Sequence, residues 1–273
     1  LSAALAANVG TFGFKGAKKK DKIRIRCHAA VPFGGTETET AGEGAQVAIV
    51  VNQSPFYAES GGQVGDAGRI GAFVVDDTQK IKGNVFGHHG RLAEGRLAVG
   101  DRVTAEVTDS LRRATMRNHS ATHLLHRALR DVLGEHVAQK GSLVDPQRTR
   151  FDFSHPAPVS AAELVEIEDR VNRAILANVE VSARLMGYDD AIASGAMALF
   201  GEKYGDEVRV LTMGDFSTEL CGGTHVDHSS QIGPVAVLGE SSVGSGARRR
   251  GVGGRGDHRR HRRRDRARLP QGA

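Results

Sequence analysis

Residues 118–144, NHSATHLLHRALRDVLGEHVAQKGSLV, decide how the rest of the chain is read. Leu124, Leu125, Ala128, Leu129, Val132 and Leu133 recur at helical spacing, and Leu111 and Ala114 carry the same period upstream. Asp109 or Ser110 can cap the start of this helix, and Gly134 suits its stop. The same stretch carries His119 and His123, four residues apart and therefore on one helix face.

Downstream, the pattern alternates between strand and helix. TRFDF (149–153), VEVSARL (179–185) and EVRVLTM (207–213) read as strands. Ser160 to Glu163 is a capping-box pattern opening a helix whose apolar stripe is Leu164, Ile167, Val171 and Ile175. A short helix fits near 188–194. Residues 109–246 are thus expected to form a two-layer α/β unit with helices packed on a mainly antiparallel sheet. Upstream, QVAIVVN (46–52), RIGAFVVD (69–76) and RVTAEV (102–107) are β-rich and separated by turn residues, so 32–108 read as a small β-barrel. Within it, Gly61-Gly62 marks a sharp turn. The fold class expected is α+β.

The 273 residues carry a formal charge of +5, but that balance sits on the ends. Residues 247–273 hold eleven Arg against two Asp, and residues 1–31 hold five Lys and two Arg against one Asp, so the middle is net acidic. Segment 1–31 shows no clear apolar period beyond Ile23 and Ile25 and reads as a linker or non-native tail. Residues 247–273 read either as a basic arm that grips phosphate or as out-of-frame sequence. The abrupt change in composition favours the second.

At 39% hydrophobic the chain can bury an ordinary core, and no run approaches a membrane span. LSAALAANVG lacks the basic start of a secretory signal. Two cysteines, Cys27 and Cys221, cannot build a disulfide scaffold, so a cytoplasmic location is expected.

A second pair of metal-binding side chains, Cys221 and His225, lies in CGGTH. Its glycines are expected to let the backbone curl so that both side chains face one ion. His119, His123, Cys221 and His225 together form a nitrogen-and-sulfur set suited to zinc. His126 reads as an exposed histidine of the next turn rather than a fifth ligand. Four protein ligands describe a closed, structural zinc, whereas an open position would serve hydrolysis. HExxH is absent because position 120 is Ser, and neither GxSxG nor a phosphate-binding GxxxxGK[ST] is present, so no ATP site is visible.

NHSATHLLHRALRDVLGEHVAQKGSLV (118–144), RFDFSH (150–155) and ELCGGTHV (219–226) resemble the editing domain of alanyl-tRNA synthetases. SPFYAESGGQVGDAG (54–68) resembles the same family's small β-barrel, and GAMALFGEKYGDEVRVLTMG (195–214) also matches. The resemblance covers roughly 36–249 and describes an internal fragment: barrel plus editing domain, without the ATP-dependent core that attaches alanine. It implies hydrolysis of tRNA for alanine mischarged with serine or glycine, through the acceptor end of that tRNA. It assigns His119, His123, Cys221 and His225 to zinc, and Thr122, Gln139 and Ser142 to the editing pocket. Two alternatives stand beside it: a free-standing trans-editing hydrolase, and a zinc- and tRNA-binding remnant without catalysis. After Gly246 only Arg248 and Arg249 keep the family pattern, and its loss beyond them is expected to delete part of the last strand of the editing unit.

Overall fold

The computed structural model describes residues 22–32, 37–82, 85–198, 204–244 and 247–253. The chain divides into two compact units, Leu1–Arg113 and Ala114–Ala273.

In the first unit, six antiparallel strands close on themselves. They are β1 (Lys22–Pro32), β3 (Gln46–Val51), β6 (Val85–Leu92), β5 (Phe73–Lys82), β4 (Gly68–Ile70) and β8 (Arg102–Val107), in that spatial order, with β8 returning to β1. Strands β2 (Thr40–Gly42) and β7 (Arg96–Ala98) form a separate pair. Ile25, Val47, Ile49, Val51, Ile70, Phe73, Val75 and Leu92 fill the barrel.

Three sequence expectations change here. Residues 22–31 are not a linker, because β1 is a barrel strand paired on both edges. Its inward set is Ile25, Cys27 and Ala30, and a register shift between Cys27 and Ala29 breaks the two-residue period that would have revealed it. RIGAFVVD is not one strand but two, β4 and β5, which reverse at Gly71 with φ +59. Strand β6, VFGHHGRL, escaped notice because glycines and histidines occupy its interior positions.

Gly61 and Gly62 both take positive φ, as their turn requires. The loop they belong to is pinned from both ends. Asp66 accepts the Tyr57 backbone N–H at 2.6 Å and pairs with Arg112, buried beside it.

The second unit is built on α1 (Asp109–Leu133), whose buried side is Leu124, Leu125, Ala128 and Leu129. It packs with Phe151 and Phe153 of a four-stranded antiparallel sheet ordered β14 (Ala236–Gly244), β15 (Ala247–Gly253), β10 (Arg148–Ser154), β9 (Gln139–Val144). Helix α2 (Ala161–Leu176) adds Ile167, Val171 and Ile175 to the same core. Its capping box forms as expected, with Ser160 and Glu163 each bonding the other's backbone N–H. A second sheet, β11 (Val181–Gly187), β12 (Glu207–Met213) and β13 (Ser217–Leu220), flanks the short helix α3 (Tyr188–Ala193). The fold is α+β with mainly antiparallel sheets, as expected.

The segment from 247 also departs from its reading as a tail. Residues 247–253 form β15, hydrogen-bonded to β14 on one side and β10 on the other. Ladder bonds are made by the backbone, so an Arg- and Gly-rich stretch still supplies them. The rest of that tail, 254–273, and residues 1–21 and 199–203 lie outside the described residues.

Candidate metal centre

Helix geometry places His119 and His123 one turn apart, with rings stacked at 5.2 Å and nearly parallel. Cys221 and His225 arrive from the turn after β13. The Cys221 sulfur lies 3.5 Å from His119 Nε2 and 3.3 Å from His225 Nε2. One ligand atom from each of the four residues falls within 4.8 Å of the others. The turn does not work as its glycines suggested, since neither Gly222 nor Gly223 takes positive φ. Arg209 holds it instead, donating from Nη1 to the carbonyls of Cys221 and Gly223, while the Gly223 N–H points at the sulfur.

The donor set fits zinc. Nitrogen at about 2.0 Å and sulfur at about 2.3 Å from a tetrahedral zinc lie about 3.5 Å apart, close to the two distances above. His123 Nε2 is buried with no hydrogen-bond partner among the described residues, a costly arrangement unless that lone pair binds something.

Electrostatics point the same way. Burial would raise the Cys221 thiol, but His119, His225 and His123 around it hold it well below its ordinary value, favouring the thiolate a metal needs. Burial pushes His225 down to about 3, against the pull of Cys221, and keeps it neutral. At His123 burial is outweighed by Glu219 and Cys221, which raise its pKa.

Thr122, one residue before His123, is buried and bonded to Asn118 O at 2.9 Å and Thr149 Oγ1 at 2.8 Å. Its partner Thr149 is on β10, whose neighbour β9 carries Gln139 and Ser142. These two are three residues apart, so a regular strand would put them on opposite faces. A register shift changes that: Ser142 pairs with Phe151 and Gln139 with Phe153. Directly paired residues share a face, so both lie on the side of Thr149, Phe151 and Phe153. Ser142 is therefore a strand residue and not part of a turn.

Two participants were missed in the sequence, and a third, His126, was misread. Glu219, 1% exposed, stands with Oε2 2.8 Å from His123 Nδ1. Ser120, fully buried, has its hydroxyl 3.3 Å from His225 Nδ1. His126 is buried rather than exposed, with Nδ1 3.5 Å from Glu219 and its ring 5.3 Å from Phe151. A carboxylate two residues before the cysteine was the only written signal for Glu219.

Comparison with known proteins bears on the family of the chain. Residues 208–249 match the family profile described as the second additional domain of threonyl and alanyl tRNA synthetases, and residues 15–111 match class II (A) tRNA synthetases. The second match begins within the segment that composition alone made a linker, and it extends the likeness through the barrel. The class defined is a part of a class II aminoacyl-tRNA synthetase. The curated relatives narrow it. The chain is 59% identical to the alanine–tRNA ligase of Neisseria meningitidis over 219 residues, 79% of this chain and 25% of the relative. It is 59% identical to that of Neisseria gonorrhoeae over 82% of this chain and 29% of the relative, and to that of Nitrosomonas europaea over 75% and 24%. The chain belongs with the alanine–tRNA ligases and spans about a quarter of their length. No described helix is long and apolar enough to cross a membrane.

Proposed function

We propose that this chain carries an editing site that hydrolyses seryl- or glycyl-tRNA for alanine and recognises the acceptor end of that tRNA. The observation that carries the reading is the convergence of His119, His123, Cys221 and His225 on one buried point, with Thr122, Gln139 and Ser142 on the adjoining helix and sheet. The four ligands would hold zinc. Bound there, zinc would supply Lewis-acid polarisation of an ester or a more acidic water. The protein's own residues set the specificity. Thr122 has one hydroxyl proton and two acceptors in reach, Asn118 O and Thr149 Oγ1. It keeps a lone pair that can accept from the hydroxyl of a seryl group. Alanine offers no such donor, so its entry forfeits that bond, which distinguishes serine, though not glycine, from alanine. Cys221 acts as ligand rather than nucleophile.

A second reading, zinc that only stabilises the fold, is favoured by the number of ligands, since four protein donors close a tetrahedral site. Deacylation of seryl-tRNA for alanine by the purified chain, with alanyl-tRNA as control and zinc content measured on the same sample, separates them. Editing predicts about one zinc per chain and selective loss of the serine ester, abolished in Cys221→Ala. Zinc without turnover would establish the structural reading. Turnover that persists in a folded, zinc-free Cys221→Ala would sink both.

A further inference from the structure

The cluster has a buried anchor behind it. Glu219 lies on β13, and its backbone register with Leu211 of β12 fixes where its side chain starts. Oε1 accepts from Ser217 Oγ at 2.8 Å, and Oε2 sits 2.8 Å from His123 Nδ1 and 3.5 Å from His126 Nδ1. At 1% exposure these oxygens are shielded from bulk solvent.

We propose that Glu219 is a positioning residue of the metal centre, holding the Nδ1 proton of His123 so that Nε2 presents its lone pair to the ion. The inference deepens the metal reading above and rests on it. An imidazole can ligate only through the nitrogen that carries no proton, and the hydrogen bond at the other nitrogen decides which one that is. His123 has its acceptor at Nδ1 and no hydrogen-bond partner at Nε2. The arrangement recurs across the site. His225 turns Nδ1 to Ser120 Oγ, which also accepts the Val226 N–H at 3.2 Å, and turns Nε2 to the sulfur. Two histidines from different parts of the chain thus point Nδ1 outward and Nε2 inward. A carboxylate binds a donor more strongly than a hydroxyl does, so His123 has the firmer anchor. Ser217 and His126 in turn keep Glu219 from rotating away.

The test uses the full chain as wild type, Glu219→Gln and Glu219→Leu, with zinc affinity read by competition against a chromophoric chelator. Gln keeps one acceptor oxygen and should bind zinc about tenfold more weakly; Leu keeps none and should lose about 100-fold. The ligand-field spectrum of the cobalt(II) form should change in Leu. In the zinc form, the His123 Nδ1 proton, followed by heteronuclear NMR, should exchange with solvent faster in Gln than in wild type. A merely structural Glu219 would lower the melting temperature of the chelated protein and leave metal affinity and that proton unchanged. If the Leu variant does not fold, Gln carries the test: unchanged affinity together with unchanged exchange overturns the proposal. Wild type that fails to bind zinc would instead overturn the metal reading itself.

Discussion

At the scale of single residues, the histidines divide by what stands at their second nitrogen. His123 faces a carboxylate, and His88 in the barrel faces a backbone carbonyl. His88 Nδ1 lies 2.8 Å from Ile49 O and Nε2 lies 2.6 Å from Ser54 Oγ. The carbonyl can only accept, so Nδ1 carries the proton and Ser54 donates to Nε2. Burial holds this neutral form in place and lowers the pKa to about 4, although the bond to Ile49 works the other way. The unfolded chain has an ordinary histidine value near 6.5. Between those values the unfolded chain takes up a proton that the folded barrel refuses, so the contribution of His88 is complete above pH 6.5. It is lost as pH falls from there toward 4, by about 3 kcal/mol. The urea midpoint of the barrel should drop over that window, and the drop should flatten in His88→Gln. Parallel curves for the two proteins would show that other groups cause it.

At the scale of elements, β15 is the least expected strand. It lies between β14 and β10, so its removal would open both partners' edges and part β14 from the rest of the sheet. A chain ended at Gly253 should keep the cooperative unfolding of the second unit, as followed by helical circular dichroism. One ended at residue 246 should lose it, and zinc binding with it. Equal stability of the two would mean that the ladders at β15 contribute nothing. The register shift in β9 is the other device at this scale. It brings two polar residues of odd spacing onto one face, which an alternation rule would have separated.

At the scale of the molecule, the two units should answer metal removal differently. All four candidate ligands fall within Ala114–Ala273. Ligand binding stabilises the state that binds by about 2.7 kcal/mol when free ligand stands at a hundred times its dissociation constant. Calorimetry with and without a zinc chelator should lower the transition of the second unit and leave that of the barrel in place. Movement of both, or of neither, would refute a site confined to one unit.

The helix of 109–133, its stop, the capping box at Ser160, strand 207–213 and the four side chains of the candidate metal cluster were all legible in the chain. Each rests on local spacing, turn chemistry or the donor chemistry of a residue type, which the order of residues carries by itself. The likeness to alanyl-tRNA synthetases was legible too, because several long motifs follow one another in order. Only the tertiary structure decided the rest. Ile25, Cys27 and Ala30 became one inward face through a shift in pairing. Residues 247–253 became a strand because two neighbours supplied edges. Glu219 became the anchor of His123 because β13 delivers it beneath a helix almost a hundred residues earlier in the chain. Such features depend on which backbones lie side by side, and a pattern with a period of two or 3.6 residues carries no record of that.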